Sequence, residues 1–191
     1  MSGPAFSSIG SPLADSCVLT LGEWRPPTRT QDRLRRLYVD HLAAYSDGWS
    51  RHCPGAHLTA SSLICVPAAQ QVLLTLHARL GRWLQTGGHL EAGDQNLQAA
   101  AMREAAEESG LEGLTIDPEP ALLSRHEVLC SGAPTFHLDV QFLVLTEECT
   151  KPAFGAESND VQWFRRDQLP DVDDSVTSLV AAAGSRLGWD A

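Results

Sequence analysis

Three glutamates at positions 104, 107 and 108 form the group of residues best suited to do chemistry. In a helix, Glu104 and Glu108 share one face, and Glu107 lies at its edge. Carboxylates this close repel each other unless a cation compensates, and carboxylate oxygens are the ligands that Mg²⁺ and Mn²⁺ prefer. Arg103 lies beside them and can orient a carboxylate through paired hydrogen bonds. The same pattern also fits an ordinary solvated acidic helix face, so the glutamates alone leave both interpretations open.

The element that must position these glutamates is a helix predicted over 97–109 and ended by Gly110. Its other side is predicted to pack on a sheet through Ala99, Met102, Ala105 and Ala106. Upstream glycines are predicted to frame a loop between a strand and this helix, where the backbone can approach other groups closely; they are Gly87, Gly88 and Gly93. Together with Asp94, this loop is predicted to form the surface on which a metal-bound diphosphate lies.

The segment from Gly88 to Leu111 resembles the signature of the Nudix hydrolases, G-x5-E-x7-R-E-U-x-E-E-x-G-U, in which U is apolar. The residues on its fixed positions are Gly88, Arg103, Glu104, Glu107, Glu108, Gly110 and Leu111, with Ala105 in the internal apolar slot. Asp94 stands where the family usually has Glu, and one extra residue separates it from Arg103. This departure leaves open whether Asp94 braces the arginine. We call this segment the Nudix box.

The resemblance implies a hydrolase that uses Mg²⁺ or Mn²⁺ to cleave the diphosphate of a nucleoside diphosphate linked to another moiety. It implies that Glu104 and Glu108 are the principal metal ligands, supported by Glu107 and by the backbone carbonyl of Gly88. Arg103 would orient Glu104. Metal ions in such a site neutralise phosphate charge, lower the pKa of a bound water and position that water for attack on phosphorus.

Other roles are less specific. The resemblance points to Glu157 as general base or extra ligand, with Glu104 and Glu108 as alternative bases. His89 and Glu91 flank the Nudix box glycine and are candidates to contact substrate or to support the loop. His126 and His137 are predicted to be hydrogen-bonded structural histidines. Burial is predicted for the aromatic side chains of Trp83 and Trp163, with base stacking as the alternative for one of them.

Two rival functions remain beside the hydrolase. A Nudix-like domain can bind a nucleotide metabolite as a sensor without cleaving it, although such modules often lose glutamates that are all present here. An isomerase of similar fold would need a reactive cysteine, and Cys65 lies in Leu-Ile-Cys-Val-Pro rather than in the expected context. The sequence does not select a substrate among nucleoside diphosphate derivatives.

The rest of the chain predicts an α/β fold. Helical patterns cover 30–45, 97–109 and 175–183, and strand patterns cover 57–66, 71–77, 82–86, 121–129, 137–145 and 161–164. Strands before and after a central helix indicate an α/β/α sandwich with a mixed central sheet, as in the Nudix fold. We expect an N-terminal tail and helix over residues 1–50 and a Nudix hydrolase domain over 51–191.

The N-terminal region is the least constrained. Residues 1–20 are rich in Ser, Gly and Pro and predict a mobile or loosely packed tail. The following helix is predicted to bury one stripe, made of Leu34, Leu37, Tyr38, His41, Leu42 and Tyr45. This helix is expected either to cover the sheet or to mediate a homodimer.

Composition excludes several classes of protein. The 191-residue chain has a formal net charge of -10, which argues against general nucleic-acid binding. No apolar run approaches the ~18 residues of a membrane span, and no secretory signal is visible. The five cysteines form no Cys-x-x-Cys pair, so a zinc ribbon is not expected. We expect the cysteines to be reduced thiols in a cytoplasmic protein. The acidic surplus predicts that any phosphate recognition depends on metal.

Overall fold

The computed structural model describes residues 11–130, 132–153 and 158–189. The helices in these ranges are α1 (Pro12–Glu23), α2 (Arg29–Ala44), α3 (Leu97–Ser109) and α4 (Asp174–Leu187), with a short 3₁₀ turn at Pro67–Ala69. The strands are β1 (Ala56–Val66), β2 (Gln71–His77), β3 (Trp83–Leu84), β4 (Thr86–His89), β5 (Thr115–Ile116), β6 (Leu122–Cys130), β7 (Ala133–Leu145) and β8 (Ser158–Arg165). The predicted elements are thus present, four of them with longer bounds, and α1 and β5 are additions.

These strands form one mixed sheet around β1. The parallel pair is β1 with β7, in which residues 56–65 align with 136–145. The remaining pairs are antiparallel: β4 along the first part of β1, β2 along its end, and β5 and β6 along β7. Strands β3 and β8 pair with β2. The predicted mixed central sheet is therefore confirmed.

Helices cover both faces of the sheet. Leu58 and Ala60 of β1 belong to a buried cluster that includes residues of α1, α2 and α3. Leu63 and Cys65, which point to the other face, pack with Val176 and other residues of α4. Because strand side chains alternate, one strand serves both cores, and the α/β/α sandwich is as predicted.

The prediction of a loose tail is wrong for residues 11–20, most of which belong to helix α1. The hydroxyl of Ser11 caps this helix by accepting from the backbone N–H of Ala14 at 3.2 Å. Leu13, Cys17 and Leu21 follow at four-residue spacing and are buried against the domain. Burial of this stripe outweighs the Ser- and Gly-rich composition. Residues 1–10 lie outside the described residues.

Helix α2 is shallower than predicted. Tyr38 is fully buried, and its hydroxyl donates to the carbonyl of Ser124 on β6 at 2.7 Å. Leu42 is also buried, but Leu37 is 41% and Tyr45 47% exposed, so their predicted burial is wrong. The helix begins after Thr28, which caps it, rather than at Thr30. Helix α2 packs against α1 and β6 along a narrow apolar stripe, so the outer part of the predicted stripe stays in solvent.

The region before α3 also differs from prediction. Instead of one strand ending at a glycine loop, β3 and β4 are separate, and Gly87 and Gly88 lie inside β4. Gly88 pairs with Ala60 of β1. On α3, Ala105 is buried as expected, whereas Ala106 is exposed. Gly110 ends the helix in the left-handed conformation (φ 64°), as predicted.

Candidate active site

Strand β4 and helix α3 meet at a cavity of about 340 Å³. The cavity is lined by Arg51, Gly87, Gly88, His89, Glu91, Arg103, Glu104, Glu107, Glu108 and Ser158. Seven of these residues were predicted as site residues from the Nudix box: Gly88, His89, Glu91, Arg103, Glu104, Glu107 and Glu108. The fold therefore brings the sequence-predicted groups of the Nudix box to one place.

The glycines let β4 approach its neighbours closely. A Cβ on Gly88 would lie only 2.6 Å from Cδ of Glu104, and a Cβ on Gly87 would lie 2.6 Å from Cα of Ser61. Real Cβ atoms do not come this close to other heavy atoms. Glycine at 88 therefore allows the Glu104 carboxylate to lie directly against the strand backbone.

The glutamates differ in how they are held. Glu104 is 15% exposed, and its Oε1 accepts a hydrogen bond from Arg103 at 2.8 Å. Glu108 accepts from the backbone N–H of Gly87 at 3.0 Å and from the hydroxyl of Thr75 at 3.3 Å. Glu107 is 61% exposed and touches Arg103 at 3.3 Å. Two carboxylates are thus fixed against the sheet, while the third projects toward solvent.

Asp94 braces Arg103 despite the extra residue between them. Its two carboxylate oxygens accept from Nε and Nη2 of Arg103, each at 3.1 Å. Nη2 also donates to the carbonyl of His89 at 3.0 Å, and Asp94 in turn accepts from the backbone N–H of Glu91 at 2.7 Å. The Asp94 hydrogen bonds are the main reason that the pKa of Arg103 is raised. The longer spacing is therefore absorbed before the helix.

The donor set fits a hard divalent cation. Carboxylates of Glu104, Glu107 and Glu108 and the backbone of Gly88 share the cavity, and Arg103 and Arg51 are the cationic side chains lining it among the described residues. Oxygen ligands of this kind suit Mg²⁺ or Mn²⁺. A cation would also relieve the repulsion between carboxylates that hydrogen bonds only partly offset.

Three other residues named in the sequence analysis differ from their predictions or lie outside the described residues. Glu157 lies outside the described residues, although its neighbour Ser158 lines the cavity. Trp163 is half-buried, and its indole N–H donates to the carbonyl of Thr150 at 2.8 Å. His137 is not the hydrogen-bonded residue predicted, because its buried Nε2 has no hydrogen-bond partner among the described residues.

Sequence reasoning missed Arg51. It lies in the turns between α2 and β1, a stretch without periodicity, and reaches the cavity only because those turns fold beside β4. No motif or spacing signals this position. Its guanidinium adds a second cationic group, beside Arg103, to a cavity that four glutamates also line.

In the described part of the chain, no helix is both long and apolar enough to cross a membrane. Among the cysteines, Cys17, Cys53 and Cys65 are buried, and Cys149 is exposed.

Fold and site now define the class of protein. A family model of the NUDIX domain matches residues 56–181, more than half of the 191-residue chain. The chain therefore belongs to the NUDIX family, and its resemblance to that family is confirmed.

Solved structures agree on the fold. The chain is similar to an Ap4A hydrolase of C. elegans, with 19% identity over 69% of this chain and 98% of that one and a TM-score of 0.55. It is similar to the NUDIX domain of NrtR of Shewanella oneidensis in complex with ADP ribose, with 19% identity over 78% and 97% and a TM-score of 0.56. A dihydroneopterin triphosphate pyrophosphohydrolase of E. coli gives 18% identity, 70% and 96% coverage and a TM-score of 0.54. A comparison with curated protein sequences gives no significant match.

Proposed function

We propose that this protein hydrolyses the diphosphate bond of a nucleoside diphosphate linked to another moiety, with Mg²⁺ or Mn²⁺ as cofactor. The observation that carries the proposal is the placement of Glu104 and Glu108 against Gly87 and Gly88. Two carboxylates held at a strand backbone, with an arginine fixed beside them, form a preorganised oxygen site in a cavity open to solvent.

The residues have distinct roles in this proposal. Glu104 and Glu108 are the principal metal ligands, Glu107 supports them, and the carbonyl of Gly88 completes the set. The bound cation would supply phosphate neutralisation and an acidified water. Arg103 holds Glu104 in one orientation, and Asp94 holds Arg103. Because these groups are fixed before substrate arrives, little free energy is needed to reorganise the site when charge develops on the phosphate.

The phosphate and its substituent need recognition of their own. Arg51 also lines the cavity, and its charge is opposite to that of the glutamates. Its guanidinium is suited to bind a phosphate whose charge the metal does not neutralise. His89 and Glu91 are the candidate substrate contacts at the rim of β4. The structural relatives include one named as an Ap4A hydrolase and one in complex with ADP ribose, which favours a nucleotide derivative as the class to test.

The general base is proposed among Glu157, Glu104 and Glu108. Removal of a base that is not a metal ligand leaves metal affinity intact while it lowers kcat, whereas loss of a ligand lowers both. Glu157→Gln, measured for kcat and for the Mg²⁺ concentration that gives half-maximal rate, separates these roles.

The decisive test is a panel of nucleoside diphosphate derivatives incubated with Mg²⁺ or Mn²⁺, with release of nucleotide and phosphate as readout. We expect cleavage of at least one member, and a fall of about 10²–10³-fold in kcat for Glu104→Gln and for Glu108→Gln. Glu112→Gln, an exposed glutamate just after the helix, is the matched control. Full activity in both site variants would overturn the assigned metal roles.

The same panel distinguishes the hydrolase from the rival functions. Tight binding of one member without cleavage would identify a nucleotide-binding sensor in place of a hydrolase. A cysteine-dependent isomerase is disfavoured because Cys65 is fully buried, and burial raises the pKa of its thiol.

Organisation beyond the site is also proposed. We propose an N-terminal extension over 1–50, whose described part contains helices α1 and α2, a catalytic domain over 51–191, and a cytoplasmic location. Sedimentation of the full chain, which gives its mass in solution, tests the possible homodimer directly.

A further inference from the structure

A second cluster of side chains lies on the sheet face turned away from α3. Four strands each contribute one residue: His57 from β1, His89 from β4, Cys130 from β6 and His137 from β7. One nitrogen or sulfur atom of each lies within 4.8 Å of those of the other three. Sγ of Cys130 is 3.8 Å from Nε2 of His89. Such convergence of three imidazoles and a thiol is absent from the rest of the described chain.

The imidazoles do not satisfy one another. His57 is only 1% exposed, and both of its ring nitrogens lack a hydrogen-bond partner among the described residues. Nε2 of His137 is buried and equally unpartnered. The three rings have centroids 4.9–5.1 Å apart in tilted or edge arrangements. Buried polar atoms nearly always have partners, so these atoms require an explanation.

We propose that His57, His89, Cys130 and His137 bind one Zn²⁺ ion in a closed structural site. Imidazole nitrogen and cysteine thiolate are ligands of Zn²⁺, and four protein ligands are the number that a closed structural zinc site needs, whereas Mg²⁺ and Mn²⁺ prefer oxygen. The site is therefore chemically distinct from the glutamates of the Nudix box. It uses the ring of His89, which leaves Glu91 as the candidate substrate contact of that pair.

The distances are compatible with this ion. In a tetrahedral site with Zn–N of about 2.0–2.1 Å and Zn–S of about 2.3 Å, ligand atoms lie about 3.3–3.6 Å apart. The 3.8 Å between Cys130 and His89 is close to this value, and the upper limit of 4.8 Å in the cluster requires modest side-chain rotation. All four ligands come from the protein, which leaves no open position for a catalytic water.

The protonation states agree with the geometry. Burial, followed by the neighbouring imidazoles, lowers the pKa of His89 to about 4 and of His137 to about 3, and burial lowers the pKa of His57. Burial thus favours the uncharged rings, and the placement of the four donor atoms carries the proposal.

The zinc would hold the strand that carries the active-site glycines. His89 follows Gly88 directly, and its carbonyl accepts from Arg103. Alternation along β4 sends the His89 side chain to the zinc and leaves Gly88 against Glu104. The ion thus joins β1, β6 and β7 to β4 on one face, while α3 holds β4 from the other.

The test measures metal content and ligand type on the full chain. Purified protein is freed of metal with a chelator and titrated with Zn²⁺ or Co²⁺ in the presence of excess Mg²⁺. We expect one Zn²⁺ per chain. Co²⁺ should give the intense visible bands of a tetrahedral ion and the near-ultraviolet band of a thiolate–cobalt bond. Absence of stoichiometric binding, or Co²⁺ spectra of an octahedral oxygen site, would overturn the proposal.

Matched variants assign the ligands. Cys130→Ser should abolish the thiolate band and weaken Zn²⁺ binding at least about 100-fold. Loss of a group that only hydrogen-bonds to a metal ligand already lowers metal affinity by up to about 100-fold. Cys149→Ser removes an exposed cysteine and should change neither. His126→Gln removes a ring 5.5 Å from that of His137 but outside the cluster, and should also retain the ion. Unchanged binding in Cys130→Ser would contradict the site.

A measurement on the unmodified chain covers the case in which Cys130→Ser fails to fold. Zinc-edge X-ray absorption of the 1:1 complex should show one sulfur and three nitrogens. An all-oxygen shell would place the ion at the Nudix box instead and overturn the proposal.

Discussion

The Nudix box and the histidine–cysteine cluster share strand β4 but are built in opposite ways. The Nudix box residues lie in one stretch of sequence, and its carboxylates accept hydrogen bonds from Arg103 and from the backbone N–H groups of Gly87 and Glu91. The cluster draws on four strands between His57 and His137, and the buried ring nitrogens of His57 and Nε2 of His137 have no hydrogen-bond partner among the described residues. The comparison teaches that one strand can contribute to two clusters of different side-chain chemistry, because its alternate residues face opposite sides of the sheet.

The largest effect on the comparison is expected from Gly88→Ala. The added Cβ would collide with the Glu104 carboxylate and displace it, and a displacement of about 1 Å in a catalytic group can cost about 10²-fold in rate. We expect that loss in kcat/KM with Zn²⁺ content unchanged, measured on the best substrate of the panel. Gly93→Ala is the control, because a Cβ there meets no atom within 4 Å. Equal losses in both variants would contradict the close-approach argument.

The second prediction concerns stability and acts on the other site. At a free Zn²⁺ concentration 100 times its Kd, binding should raise the free energy of unfolding by about 2.7 kcal/mol if the unfolded chain does not bind the ion. Urea unfolding of the metal-free chain with and without Zn²⁺ measures this. Cys130→Ser should show no gain and Cys149→Ser the full gain. Stabilisation that survives Cys130→Ser would break the division between the two sites.

Arg103→Lys should give a smaller change, of about 10-fold in kcat/KM. Lysine keeps the charge but cannot donate simultaneously to Asp94, Glu104 and the carbonyl of His89 as the guanidinium fork does. Steady-state kinetics of this variant beside Arg165→Lys, an exposed arginine paired with Asp167, measures the difference. A wild-type rate for Arg103→Lys would show that charge alone suffices at this position.

The smallest effect is expected from Glu107→Gln. This glutamate is 61% exposed and contacts Arg103 at 3.3 Å, whereas Glu104 is 15% exposed. We expect a loss of only about 2–5-fold in kcat, of the order that a solvent-screened charge contributes, read from the same panel as Glu104→Gln. A loss as large as that of Glu104→Gln would make Glu107 an equal metal ligand.

Sequence patterns predicted the parts of the molecule that depend on local order. The residues of the Nudix box, the span of α3 and its Gly110 cap follow from spacing and from glycine chemistry, and the structure agrees with them. Strand patterns over 57–66 and 137–145 predicted β1 and β7, and both strands are present. The same reasoning failed for α1, because its Ser- and Gly-rich start conceals the buried stripe of Leu13, Cys17 and Leu21.

The remaining errors come from neighbours that the sequence does not name. Helical spacing predicted burial of both Ala105 and Ala106 on α3. The buried side of the helix carries Ala101 and Ala105, and Ala106 lies outside it. Arg51 has no pattern around it and reaches the cavity only through the turns before β1. Both outcomes depend on which surfaces meet, and that is set by packing across the whole domain.

The sequence by itself determined the family, the acidic helix and the residues of the Nudix box, since these are encoded within 24 residues whose spacing a helix converts directly into geometry. Only the tertiary structure decided that Asp94 reaches Arg103 across a longer loop, that Arg51 joins the cavity, and that three histidines and a cysteine from separate strands converge. The physical reason is strand pairing. Register between distant segments sets which side chains become neighbours, and periodicity within one segment carries no record of that register.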